Sequence, residues 1–258
     1  IGIDIVTIAN NHTIDVGEKG ILNAIDYYNS VGLLYTGAFQ YVEDQQTIRT
    51  IEKNGIIFSF LAYTYGTNGI PVPAGKEYLV NLIDEEQIVA DIHRAKEISD
   101  VVVLSLHFGN EYEPYPNERQ KELVQMFTDA GAHIIFGHHP HVLQPVDRVK
   151  GEDGHEAFVA YSLGNFISGQ IGVEREIGGI LQLEVKKTVS RNGTSIEITD
   201  PRFVPVFTYK NNWRNYKLYE LEKIGDDILP NASVHYENVK KHVSSLLEEV
   251  QFSIPLEK

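Results

Sequence analysis

Three short apolar runs, 1–9, 101–106 and 132–136, each end in a polar loop that carries histidine. Runs of this length, rich in β-branched residues, read as strands covered on both faces, as in parallel sheets. The segments after the first two runs have helical spacing. Ile21, Leu22, Ile25 and Tyr28 share a face within 18–31, with Gly32 as the stop. Leu123, Met126 and Phe127 do so within 117–130, closed by Gly131. Strand, polar loop and helix in that order are βα units, and 101–136 forms a βαβ unit, so the expected fold class is α/β. In such sheets the carboxyl ends of parallel strands share one edge, where ligands bind, so the three histidine loops can converge.

The densest of these loops lies in GAHIIFGHHPHVLQP at 131–145. Gly137 releases the chain into His138, His139 and His141. Pro140 fixes its own φ and biases His139 towards an extended conformation, which predicts a stiff loop presenting imidazoles. Neutral imidazole suits zinc, iron, nickel or copper. The plainer alternative is a polar loop whose histidines meet water or carbonyls.

Asn54-Gly55 between 47–53 and 56–65 is a hairpin signal, so the sheet is mixed rather than purely parallel. The Gly-, Pro- and Asn-rich stretch 66–79 reads as a surface loop beside the site. Asp84 with Gln87 caps a helix whose buried face is Ile88, Ile92, Ala95 and Ile98, and Asn117 with Gln120 repeats that pattern. The second half reads as hairpins. Runs 142–149 and 157–162 flank the GEDG turn, 180–189 and 194–198 flank Arg191-Asn192-Gly193, and 202–209 is one more extended run. The loop 210–217 marks a candidate boundary between a domain at 1–209 and an extension at 210–258. That extension ends in an amphipathic helix over 236–250, its stripe Val239, Val243, Leu246 and Leu247.

Lys plus Arg total 22 against 36 Asp plus Glu, a formal charge of −14, which argues against a nucleic-acid binder. An anionic substrate then needs local positive charge, which a bound metal ion supplies. The absence of cysteine removes disulfides and thiolate zinc sites. No nucleophile elbow, P-loop or dinucleotide fingerprint competes with the histidine set. No run is long enough to span a membrane and no signal sequence opens the chain. Its start within strand-like sequence points to a longer parent protein.

Four stretches carry a more specific signal: ANNHTIDVG at 9–17, HFGNEYEPYPNERQ at 107–120, GAHIIFGHHPHVLQP at 131–145 and AYSLGNFISGQ at 160–170. In order and spacing they resemble the CapA family of poly-gamma-glutamate capsule biosynthesis proteins. That family is similar to the calcineurin-like metallophosphoesterases, and the resemblance covers roughly residues 1–185. It implies an α/β/β/α sandwich with mixed sheets, here lacking its N-terminal portion. It also implies one or two divalent ions (Mn, Fe or Zn), held by Asn11, His107, His139 and His141. His12 is then the acid or phosphate contact and His138 a further catalytic group, with Asn10, Glu111 and Asn165 lining the substrate site. The resemblance implies that family members open with a GD-type motif and a later Asn-x-Glu motif, which supply further acidic ligands; neither is found at the start of this chain, so one metal through His107, His139 and His141 is the reduced alternative.

The resemblance implies a metal-dependent phosphoesterase-like hydrolase working through a metal-bound hydroxide. A second expectation is an accessory protein that binds poly-gamma-glutamate for export at the cell surface around a vestigial or partial metal site, and a third is an amide hydrolase acting on that polymer. The implied partners are poly-gamma-glutamate or a phosphoester, and other capsule-biosynthesis proteins. The implied location is the outer face of a bacterial membrane, reached through a segment outside this chain. Tyr63, Tyr65, Tyr112 and Tyr115 are candidates for a binding wall. Asp15 either caps the first helix, the plainer reading, or orients His12. His93, His133, His155 and His235 read as structural, and His242 as a solvated residue.

Overall fold

The computed structural model describes residues 2–152, 154–191 and 193–253. The GEDG turn at Asp153 and the Arg191-Asn192-Gly193 turn at Asn192 lie partly outside the described residues. In chain order the elements are β1 (Ile5–Thr7), α1 (Gly17–Ser30), β2 (Leu34–Thr36), α2 (Val42–Gln46), β3 (Arg49–Lys53), β4 (Ile56–Thr64), α3 (Glu85–Ile98), β5 (Val101–His107), α4 (Glu118–Ala130), β6 (Ile134–His138), β7 (Leu143–Lys150), β8 (Glu156–Leu163), α5 (Val173–Glu176), β9 (Ile177–Ser190), β10 (Gly193–Asn211), β11 (Arg214–Glu220) and α6 (Ala232–Val243). The class is α/β with mixed sheets. The chain divides into two compact units: Ile1–Phe108 with Leu123–Ile135 and Lys150–Ala157, and Gly109–Glu122 with Phe136–Val149 and Phe158–Lys258. The division falls within β6 and β8.

In the first unit β1 and β2 form a parallel pair, while β3, β4, β5 and the start of β6 follow in ladder order. Lys53 pairs with Ile56 across Asn54-Gly55, whose φ angles of 54° and 76° are those of a tight hairpin turn. β4 then pairs parallel with β5, from Phe58↔Val101 to Thr64↔His107. Every residue of β5 from Val101 to Leu106 is buried, as a central strand covered on both faces requires. Ile88, Ile92 and Ala95 of α3 are fully buried while Ile98, expected on the same face, is exposed, and Asp84 Oδ1 accepts the Gln87 amide at 3.0 Å, so the expected cap starts this helix. A second core gathers Ile21 and Ile25 of α1 with Tyr35, Phe39, Leu79 and Val80, so the loop 66–79 ends anchored in apolar packing.

In the second unit the end of β6, β8 and β7 are neighbours, and β9, β10 and β11 form an antiparallel sheet. The Asn117/Gln120 box closes reciprocally: Gln120 N donates to Asn117 Oδ1 at 2.9 Å and Asn117 N donates to Gln120 Oε1 at 3.1 Å. Three expectations are corrected here. The extended runs 194–198 and 202–209 are one strand, β10, bent at a register shift where Asp200 has φ 50°. The loop 210–217 is a hairpin, β10 turning at Asn212 and Trp213 (φ 49° and 59°) into β11. The last helix ends at Val243, so Leu246 and Leu247 lie beyond it and Leu246 is exposed.

Candidate metal centre

β6 runs two residues beyond its expected end, so His138 closes the strand instead of opening the loop. The imidazole of His138 is half-buried by surface area, and desolvation pushes its pKa down to about 4, so it is neutral at pH 7. The next residues depart from the expected geometry. His139 has φ 98° and His141 φ 60°, left-handed values that histidine adopts only under constraint. The extended conformation that Pro140 favours at His139 is therefore overridden in the bend 139–142 that links β6 to β7.

That turn brings His139 and His141 together with Glu111, one donor atom of each lying within 4.8 Å of the others. His141 Nε2 and Glu111 Oε1 are 3.9 Å apart. Two donors each ~2.1 Å from a shared ion lie at most ~4.2 Å apart, so this pair already meets the limit for a common divalent cation. Two imidazoles and a carboxylate are the donor chemistry of zinc, iron or manganese sites. The residues present fit such an ion.

Asn165 settles which nitrogen His141 offers. Its Nδ2 donates to the carbonyls of Arg175 at 2.9 Å and His141 at 3.3 Å, groups that only accept. The other side of the amide is therefore Oδ1, which lies 2.9 Å from His141 Nδ1 and accepts its proton. Nε2, the nitrogen near Glu111, keeps the lone pair, which is how outer partners orient metal-ligating histidines. Asn165 reaches this position because Gly164 takes φ 64° and because Gly178, opposite it, has no side chain. A Cβ at Gly178 would stand 2.0 Å from the Asn165 carbonyl oxygen. The turn role expected of Gly164 and a place for Asn165 beside His141 are thus the same fact.

In the first unit, His107 Nε2 lies 2.9 Å from Asn11 Oδ1, and Asn11 Nδ2 donates to Asn68 Oδ1 at 3.1 Å. Tyr65 stacks on His107 with ring planes 9° apart and centroids 6.4 Å apart, and its hydroxyl reaches Asn68. Asn68 was missed in the sequence; its signal was the Asn68-Gly69 turn, both residues at positive φ. Asn10 Oδ1 accepts the His12 amide at 2.8 Å and shapes the turn. Asp15 does not cap α1, whose N-cap Val16 has no side-chain bond. Its Oδ2 lies 2.7 Å from His12 Nδ1. The orienting role prevails because the N-terminal turn ends one residue past Asp15.

Of the tyrosines, Tyr63 is corrected: it is buried and donates to Asp91 at 2.8 Å, and burial first, then that carboxylate, pushes its hydroxyl pKa well up. Tyr112 stacks on His141 at 6.1 Å, and Tyr115 meets His242 edge-on at 4.9 Å. His242 is not a solvated residue; its Nε2 donates to the Leu143 carbonyl at 3.0 Å. His133 Nδ1 accepts the Val102 amide at 3.1 Å and His155 Nε2 donates to the Ala132 carbonyl at 3.2 Å, both structural as expected.

Comparison with known proteins adds the following. Residues 1–170 match the profile of the PGA_cap family, bacterial capsule synthesis proteins. The chain is 33% identical over 203 residues to the PGA biosynthesis protein CapA of Bacillus subtilis, covering 74% of this chain and 48% of that protein. It is equally identical over 200 residues to the capsule biosynthesis protein CapA of Bacillus anthracis, covering 76% and 46%. The chain thus spans about half the length of these relatives. In three dimensions it is similar to a 5′-nucleotidase candidate from Staphylococcus aureus, at TM-score 0.50 and 12% identity over 91% of this chain and 42% of that one, a likeness of fold.

Proposed function

The chain belongs to the PGA_cap family of bacterial capsule synthesis proteins, and from that premise we propose that it is a metal-dependent hydrolase of the phosphoesterase type. The carrying observation is the Glu111, His139 and His141 donor set with the His141 Nε2 lone pair fixed by Asn165. When bound, a divalent ion supplies Lewis acidity at neutral pH. Glu111, His139 and His141 hold it, and Asn165 keeps the tautomer. Neutral His138, next to this set, contacts substrate or orients a ligand. Within the first unit, Asn11 and His107 are a second candidate donor pair, and His12, held by Asp15, is a candidate proton carrier. Asn10 shapes the turn that presents His12.

The test is chelator-sensitive hydrolysis of bis-p-nitrophenyl phosphate and p-nitrophenyl phosphate, with metal content by elemental analysis. Wild type should carry at least one equivalent of Mn, Fe or Zn and turn over one of the esters, and His139→Ala should lose both properties. Full activity in the variant overturns the reading.

A second reading, motivated by the Bacillus subtilis relative being a PGA biosynthesis protein, is a protein that binds poly-gamma-glutamate at the outer face of the cell membrane. Among the described residues no helix is long and apolar enough to cross a membrane. Binding of oligo-γ-glutamate with and without chelator tests it, and no binding in either condition removes it.

A further inference from the structure

The second unit contains a cavity of about 560 Å³ whose apolar wall includes Leu143, Ile177 and Val239 and whose polar wall includes Arg175, Asn238 and His242 with the carboxylate of Glu174. Its size is that of a small-molecule site, and a mostly apolar lining with a few convergent polar groups is the usual composition of one. Most of these residues lie beyond 1–170, outside the span matched by the family profile.

Arg175 is the informative member. In a chain with 36 acidic and 22 basic residues, an arginine readily finds a carboxylate, as Arg94, Arg148 and Arg202 do. Among the described residues none pairs with Arg175. The adjacent Glu176 is taken by Lys210 at 2.6 Å. The Arg175 guanidinium rests instead over the face of Tyr112, 4.9 Å from its centroid, a contact that leaves its N–H fork unused. A half-buried guanidinium with five donors and no acceptor is matched by a planar or tetrahedral oxyanion, bound bidentately. His242 adds a second polar feature. Because its Nε2 donates to the Leu143 carbonyl, its neutral form leaves Nδ1 as an acceptor.

We propose that this cavity binds a small organic anion, its carboxylate or phosphate paired with Arg175 and its apolar body against Leu143, Ile177 and Val239. The cavity is linked to the His141 cluster through one residue. The Arg175 side chain covers Tyr112, which stacks on His141, while the Arg175 carbonyl holds the Asn165 amide that fixes the His141 tautomer. The anion site does not depend on a metal ion, so it stands apart from the hydrolase reading.

The experiment is titration calorimetry of the whole chain in excess chelator with benzoate, phenyl phosphate and, as the neutral control, benzyl alcohol. Binding of at least one anion is expected, with benzyl alcohol at least tenfold weaker. Which anion binds identifies the oxyanion. Arg175→Gln should weaken that binding at least tenfold, and Val239→Phe, which fills the apolar wall of the cavity, should abolish it, with circular dichroism confirming that both variants fold. The proposal is overturned if neither anion binds in chelator, if binding appears only on adding Mn²⁺, if benzyl alcohol binds as well as the anions, or if both variants bind like wild type. A failed hydrolysis assay leaves these outcomes unaffected, because they are read without metal.

Discussion

In the first unit, Asn11 Oδ1 is engaged by His107 and its Nδ2 by Asn68, so the donors that would serve a cation already satisfy one another. In the second unit, His141 gives its Nδ1 proton to Asn165, and its Nε2 faces Glu111 across 3.9 Å with the lone pair still to use. Both clusters use the same residue types at strand ends. A cation entering the first must displace a hydrogen bond worth about 1 kcal/mol net, whereas in the second the outer partner already orients the ring. Under the proposed function, the two clusters are then ranked not by donor identity but by the hydrogen bond made by the other ring nitrogen.

The comparison breaks most directly at His141. His141→Ala should weaken Zn²⁺ or Mn²⁺ binding at least a hundredfold, about 2.7 kcal/mol, by calorimetry. An unchanged affinity would move the primary cation site to the first unit. Stripping the metal should act on a similar scale. An ion at a hundred times its Kd stabilises by about 2.7 kcal/mol, so chelator should lower Tm by roughly 5–10 °C in a scanning calorimeter. Asn165→Ala leaves all three donors intact but frees the His141 tautomer, and a loss of about ten- to a hundredfold in metal affinity is expected. Retained affinity would show that the turn alone orients the ring. The smallest effect belongs to Asn68→Ala, which removes the Asn11 partner. It should cost about 1 kcal/mol in urea denaturation and leave the affinity of the second unit's cluster unaltered.

Much of the framework was legible because its signals are local. Asp84 with Gln87 and Asn117 with Gln120 announce helix starts through bonds spanning three residues, and Asn54-Gly55 announces its hairpin through two backbone angles. The histidines at strand ends were legible too, since a buried run followed by polar residues has few other uses. What stayed hidden depends on distant chain. The left-handed geometry of His139 contradicts the local preference set by Pro140, and the tautomer of His141 is set from Asn165, 24 residues away. Asn68 contacts Asn11 across 57 residues, and Arg175 is significant only because no carboxylate meets it among the described residues. β11 escaped notice because Arg214–Glu220 is short and mostly polar or charged, with only Tyr216, Leu218 and Tyr219 half-buried among exposed Arg214, Asn215, Lys217 and Glu220.

The left-handed angles at His139 and His141 carry a consequence for the protein's scope for improvement. A non-glycine residue held in that region costs of order 1–3 kcal/mol, and glycine would relieve it. The two changes that would most relax this loop are therefore the two that delete its imidazoles. On the proposed metal site, heat resistance and ion capture compete for the same two positions, and a lineage or an engineer seeking a hardier version of this chain has to find the gain elsewhere.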